Sequence, residues 1–197
     1  MWYWIFSLVF SGIFKIFFRL QVEGLENIPR KSNFIIIANH SSFLDPAVIM
    51  AAVRRKIHCV AIRDIYRFSW LSWFLKVTET LPIGSSSQKA IDLLAQNKNI
   101  GLFPEGGVSR DGKLKEFRRG AALLAYKSGR PIVHCAIIGT FESIPLGRKI
   151  PRLRKLKLKI GRPVYFAKEF EDIIDDLYLQ EGMFKLRGII KGMLDAG

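Results

Sequence analysis

Cysteine is nearly absent: 197 residues hold two, Cys59 and Cys135, far apart and each inside an apolar, strand-like run. That spacing excludes a disulfide framework and a Cys/His metal site, and it suits a cytosol-facing protein with buried thiols. Acid is scarce beside base, 17 Asp and Glu against 31 Lys and Arg, which leaves a net charge of +14. Such a charge is a first sign of a nucleic-acid binder. Yet no Cys/His finger, RNP-like aromatic motif or basic recognition helix is present, and no nucleic-acid partner is expected. No repeat, low-complexity tract or linker interrupts the chain. With 49% hydrophobic residues and a mean hydropathy of +0.16, a disordered chain is excluded, and the length suits one domain with a sizeable core. A Gly-x-Ser-x-Gly elbow is also missing, so neither Ser41 nor Ser42 is set up as a nucleophile.

Charge is absent from Met1 through Phe14, a stretch that instead presents Trp2, Tyr3, Trp4, Phe6, Phe10 and Phe14, with Lys15 and Arg19 at its far end. As a helix to Phe18 it spans about 27 Å, against a hydrocarbon core of about 30 Å. The lack of a basic leader argues against a cleaved signal peptide. Residues 1–20 are therefore expected to form a membrane-associating helix, interface-seated or obliquely inserted, and residues 21–197 a single domain. The alternative is a helix packed on the domain's own core, which would bury Ser7 and Ser11 too. A second apolar patch with flanking cations, Tyr66 to Lys76, could lie against the same membrane.

Further along, periodicity and breakers predict strands near Phe34 to Ala38, Ile57 to Ala61, Ile100 to Phe103 and Ile132 to Ile138. Between them fall a helix from Pro46, an aromatic helical stretch to Val77, a helix Ser86 to Gln96 with Ser85 and Gln88 at capping-box spacing, and a helix around Arg118 to Lys127 stopping at Gly129. A last helix begins near Glu171. Alternation of this kind implies an α/β fold, a largely parallel central sheet flanked by helices. Ligand sites in such folds gather at the carboxyl ends of strands.

Two loops at such ends carry chemistry. The first, Asn39-His40-Ser41-Ser42-Phe43-Leu44-Asp45, joins a strand to a helix and holds an imidazole and a carboxylate five positions apart. On a continuous helix those side chains would point about 140° apart, so they meet only across a turn. There they form a candidate general-base pair, the carboxylate raising imidazole basicity and holding one tautomer. The plainer reading is that Asp45, followed by Pro46, caps its helix while His40 fills the loop. The second loop, Phe103-Pro104-Glu105-Gly106-Gly107-Val108-Ser109-Arg110, follows a strand with a carboxylate and paired glycines, whose amides can converge on an anion or a developing oxyanion. Alone it reads as an ordinary turn. His58 and His134 lie within strand-like runs and read as packing residues.

Together the loops resemble those of the glycerol-phosphate and lysophosphatidate acyltransferases, enzymes that join an acyl thioester to a lipid hydroxyl. His40 and Asp45 match that family's histidine, four residues, aspartate signature; Phe103 to Gly106 match its Phe-Pro-Glu-Gly block. Val22 to Pro29, Phe117 to Ala121, Pro131 to Val133 and Ile160 to Val164 resemble further blocks in the expected order, covering roughly residues 20 to 166. The resemblance implies a membrane-associated enzyme on the cytoplasmic face of the inner or plasma membrane, with acyl-CoA or an acidic acyl carrier protein as donor and no cofactor or metal. It implies His40 and Asp45 as catalytic residues, and Phe103, Pro104, Glu105, Gly106, Gly107, Arg110 and Arg118 as substrate-binding ones. Glu105 would position a polar group, and amides near Gly106 and Gly107 would face the oxyanion.

Departures fall in three blocks, two of them where the family's arginines are associated with holding the acceptor's phosphate. Leu81-Pro82-Ile83 is followed by Gly84 and Ser85 instead of arginine, Gly107 is followed by Val108 and Ser109 before Arg110, and His134 stands where a proline is common. A bidentate guanidinium is hard to replace. Either Arg110, Arg118 or Arg119 supplies the charge, or the acceptor is another one, such as an amino-acid lipid or glycolipid. A catalytically silent lipid-binding relative is the third reading.

The excess of base concentrates between Arg148 and Arg162, a stretch with eight Lys and Arg and no acid. Lys155-Leu156-Lys157-Leu158-Lys159-Ile160 alternates with period two, which predicts a strand with one cationic face. It would attract a polyanion such as anionic membrane lipids, coenzyme A phosphates or an acidic carrier protein. The other reading is an edge strand guarded by lysines.

Overall fold

A strand that is apolar on both faces has to be covered on both, and Phe34-Ile35-Ile36-Ile37-Ala38 is such a stretch. In the computed structural model, which describes residues 2–61, 75–76, 78–82, 86–148, 150–166 and 176–197, it forms the fully buried strand β2 (Ile35–Ala38). In chain order the elements are α1 (Trp2–Phe17), β1 (Gln21–Glu23), a 3-10 turn (Leu25–Asn27), β2, α2 (Asp45–Ala52), β3 (Ile57–Ala61) and β4 (Leu81–Pro82). There follow α3 (Ser86–Ala95), β5 (Asn99–Leu102), α4 (Gly120–Ser128), β6 (Ile132–Ile138), α5 (Thr140–Ser143), β7 (Lys157–Ile160) and α6 (Asp176–Asp195). The strands make one sheet in the order β1-β7-β6-β2-β5-β3-β4. The pairings between them are parallel except β6 with β7. This is an α/β fold with a mostly parallel sheet flanked by helices, as the alternation of apolar runs implies. The aromatic patch from Tyr66 to Phe74 and the Ser85 capping position lie outside the described residues.

Each face of the sheet has its own core. Ile36 and Ala38 of β2 and Val133 of β6 pack with Val48 and Ile49 of α2 and with Phe14 and Phe18 of the N-terminal segment. Ile35 and Ile37 point the other way, onto Leu94 of α3, Ala122 and Ala125 of α4, and Leu186 and Ile190 of α6. Alternation of β2 side chains between two covered faces is why one short strand seeds both cores.

α1 divides its own surface. On the inner side Tyr3 and Phe14 are buried, the Tyr3 hydroxyl accepts the Ile57 amide proton (3.1 Å), and the Ser7 hydroxyl donates to the Met50 carbonyl (2.8 Å). That last bond offsets the cost of burying Ser7, part of what argued from sequence against packing. On the outer side Ile5, Leu8, Val9, Ile13, Ile16 and Phe17 face solvent, Leu8 at 75% exposure. The helix is about 24 Å long, and among the described residues no helix is long and apolar enough to cross a membrane.

The lysine-alternating strand keeps its predicted period, with Leu158 and Ile160 buried and Lys157 and Lys159 half-buried. It is not an edge. β7 lies between β1 and β6, and its lysines are engaged locally: Lys157 reaches Glu23 (3.4 Å), and the Lys159 ammonium donates to the Met193 and Ala196 carbonyls at the end of α6. The negative end of the α6 dipole explains that choice. Among the described residues, Arg148, Arg152, Arg154 and Lys155 of the preceding loop are exposed and in no ion pair.

The two cysteines are free, Cys135 buried and Cys59 partly so, with burial pushing the Cys59 thiol up to about 12. His58 and His134 are buried, as read from their strand-like settings, and burial lowers both imidazoles below the ordinary histidine value. The His134 ring lies so close over Gly161 that a β-carbon there would collide with it. Among the described residues its Nδ1 has no hydrogen-bond partner. Below about pH 6.5 the unfolded chain takes up protons that the folded one refuses. Stability is therefore expected to fall as pH drops from neutral to about 5, and thermal unfolding across that range should show a flatter profile for His134→Leu than for wild type.

Candidate active site

Register places the two chemical loops side by side. β2 and β5 are parallel neighbours with Ile37 opposite Leu102, and His40 and Glu105 each come three residues later. β6 flanks β2 on the other side and runs into α5, bringing up Thr140. Asn39 ties the exit of β2 to β6 in both directions: its amide donates to the Ile137 carbonyl (2.9 Å) and its carbonyl accepts the Ile137 amide (2.7 Å).

Within the first loop, His40 Nδ1 lies 2.9 Å from Asp45 Oδ2, with His40 12% exposed and Asp45 fully buried. The same oxygen accepts the Ser41 amide (2.7 Å) and the Ser42 amide (2.8 Å). Asp45 does not cap its helix. It is the first helical residue, Leu44 takes the capping place without a side-chain bond, and the carboxylate turns back to where three donors converge. An ionised carboxylate only accepts, so the proton of the imidazole sits on Nδ1 and the lone pair on Nε2. The Ser41 hydroxyl contacts Thr140 Oγ1 (3.0 Å) and the Ser42 hydroxyl donates to the Ile144 carbonyl (2.9 Å), so both serines shape the loop. The Phe103 ring stacks on the imidazole, centroids 4.2 Å apart.

Glu105 is buried and commits both oxygens to backbone. Oε1 accepts the His40 amide (2.6 Å) and Oε2 the Lys115 amide (3.0 Å), which fastens the histidine loop to the segment after the glycines. Burial raises its carboxyl above the usual range, and those two hydrogen bonds oppose the rise. The Ser109 amide closes the assembly by donating to the His40 carbonyl (2.7 Å).

The glycines differ in role. Gly106 sits at φ 72°, where only glycine rests without strain, and its amide donates to the Phe103 carbonyl (3.0 Å), which takes it away from an oxyanion. Among the described residues the Gly107 amide has no such partner, leaving it as the donor of the pair. A β-carbon on Gly106 would meet the Arg118 guanidinium, so this arginine lies across the turn, while its amide donates to the buried Pro104 (2.8 Å). Arg119 pairs instead with Asp176 of α6, and Arg110 is exposed just past Ser109. Of the three candidate cations, Arg118 is the one held against the Pro-Glu-Gly corner.

Sequence reasoning missed Lys115. Its ammonium donates to the Gly107 (3.1 Å) and Val108 (2.9 Å) carbonyls, holding their peptide planes. Arg187 of α6 donates in turn to the Lys115 and Leu114 carbonyls (3.0 and 3.3 Å) and pairs with Glu116. No local pattern announces these roles, because each depends on backbone carbonyls brought up from elsewhere.

Comparison with known proteins agrees with this geometry. The family model described as Acyltransferase matches residues 19–138. A 1-acyl-sn-glycerol-3-phosphate acyltransferase of Bacillus subtilis is 31% identical over 156 residues, 75% of each chain. A chloroplastic 1-acyl-sn-glycerol-3-phosphate acyltransferase of Brassica napus is 25% identical over 77% of this chain and 47% of its own, so this chain spans about half the length of that relative. The crystal structure of the 1-acyl-sn-glycerophosphate acyltransferase PlsC from Thermotoga maritima superposes with a TM-score of 0.78 at 26% identity, covering 98% of this chain and 79% of that one.

Proposed function

The chain belongs to the acyltransferase family, and from that premise we propose that it moves a fatty acyl group from acyl-CoA or acyl carrier protein to 1-acylglycerol-3-phosphate, making phosphatidate. The observation that carries the reading is the imidazole whose Nδ1 is held by buried Asp45, which leaves Nε2 as an open base. The acceptor hydroxyl oxygen attacks the thioester carbonyl carbon as Nε2 takes its proton. The tetrahedral oxyanion is met by the Gly107 amide. The carbon–sulfur bond then breaks, and the imidazolium returns its proton to the leaving sulfur, releasing a thiol. Asp45 compensates the transient charge, and Arg118 pairs with the acceptor's phosphate.

The exposed apolar side of α1 supports an enzyme seated on the membrane, there meeting its lipid acceptor; the cytoplasmic face is the leaflet that thiol-bearing donors reach. A helix too short to span, packed along one side and apolar along the other, suits the interface. The test is thiol release from an acyl donor with a panel of lysolipid acceptors: release dependent on lysophosphatidate supports the reading, and none with any acceptor defeats it.

A second reading, the same transfer onto an acceptor without a phosphate monoester, is favoured by Val108 and Gly84 standing where the family's arginines are expected. Arg118→Ala separates the two. With a phosphate-bearing acceptor its KM should rise about tenfold or more, the worth of a charge-assisted pair. An unchanged KM in steady-state kinetics points to the other acceptor class.

A further inference from the structure

Beyond the catalytic loops and α1, one group of exposed apolar residues that the chemistry does not explain lies in the connection from α5 to β7. This connection leaves at Ser143 and returns at Arg152, whose amide donates to the Ser143 carbonyl (2.8 Å), and Arg148 turns back on Pro145 (3.1 Å). Closed surface loops of this kind are frequently functional. This one is inside out for a protein in water: Ile150 is 77% exposed and Leu153 63%, with Leu146 exposed as well. Between and after them stand Arg148, Arg152, Arg154 and Lys155, all exposed and without an ion-pair partner among the described residues. A single exposed leucine means nothing. Three branched apolar residues alternating with four cations, with no acid in the segment, make a surface that matches an anionic bilayer in both its apolar depth and its headgroup charge.

Its place in the fold ties the loop to the chemistry. The Ser42 hydroxyl, two residues from His40, donates to Ile144 at the loop's start, and Phe43 between His40 and Asp45 is 57% exposed. At the loop's other end the Leu156 amide donates to the Phe18 carbonyl, immediately beyond α1 (3.0 Å). The loop thus links the C-terminal end of α1 to the rim of the histidine loop.

We infer that residues 144–148 and 150–155 form a second membrane contact, a cationic apolar loop that enters an anionic lipid surface and seats His40 at the headgroup level where an acceptor hydroxyl lies. The inference rests on the membrane-seated reading above and adds to it a surface and a lipid class. Cations flanking an apolar tip specify the order of events: long-range attraction to anionic headgroups, then insertion of Ile150 and Leu153.

The test is vesicle co-sedimentation of the full chain with phosphatidylcholine alone and with phosphatidylglycerol added. Ile150→Ser/Leu153→Ser should bind anionic vesicles about tenfold or more weakly than wild type. Arg152→Ala/Arg154→Ala should lose most of the difference between anionic and neutral vesicles. Lys89→Ala/Lys185→Ala, on α3 and α6, also removes two positive charges, elsewhere on the surface, and should have the smaller effect. All six positions are solvent-facing, and unfolding curves that match wild type check each fold. If wild type binds neither vesicle, the membrane reading itself fails. If wild type binds and the Ile150→Ser/Leu153→Ser protein matches it, the loop is not a contact and only this inference falls.

Discussion

His40→Ala should lower turnover by about 10²- to 10⁴-fold while leaving the unfolding midpoint close to wild type. The split follows from what the side chain touches. Its Nδ1 reaches only Asp45, and removing it leaves Oδ2 with two backbone donors, so the loop keeps its ties. The His40 backbone, which holds Glu105 and Ser109, is unaltered by the change. What is lost is the base at Nε2. Single-turnover acyl transfer measured beside a thermal melt checks both halves; a folded variant with undiminished transfer would remove the general base from the mechanism.

Changes at Asp45 should be large in a different way. Asp45→Ala strips the acceptor from three donors at once, two of them buried backbone amides, at a cost of about 2–4 kcal/mol in stability along with most activity. Asp45→Asn is the sharper probe. With its carbonyl in the place of Oδ2 it still accepts the three bonds, but its amide then fills the position of Oδ1, a buried atom that has no partner among the described residues. The charge that compensates the imidazolium is gone in either orientation. Activity should therefore drop about 10²-fold or more while the melt shifts less than for alanine. Equal activity in Asp45→Asn and wild type would reduce Asp45 to a loop fastener.

The two variants also bear on how Glu105 is understood. From the Phe-Pro-Glu-Gly block it reads as a residue that positions a polar group of a partner residue or of the substrate. In the structure both its oxygens bind backbone amides, one of them that of His40. Its influence on the reaction runs through the place of the histidine loop, which is a matter of distance between two loops and not of the glutamate's own sequence neighbourhood.

Fold class, the strands β2, β3, β5 and β6, and the pairing of His40 with Asp45 were all legible in the chain, because each rests on local facts: an unbroken apolar run, a breaker at its end, a separation too large for a helix and right for a turn. The alternative reading of Asp45 as a helix cap rests on Pro46, an equally good local sign of a helix start, and only the three converging donors show which way the carboxylate turns. The lysine strand was given an edge as one of its readings because its period says which face is cationic but not which strands lie beside it.

By itself the sequence determined an α/β chain with two loops of acid-base and anion-binding character, set by periods and spacings that act within a dozen residues. Tertiary structure alone decided that the loops are neighbours, that Arg118 and not Arg119 lies at the corner, that Lys115 and Arg187 brace it, and that α1 buries one side and exposes the other. The reason is physical: sheet order and register are fixed by contacts between residues some 65 positions apart, as between β2 and β5, and no local pattern encodes which of several apolar strands becomes the neighbour of another.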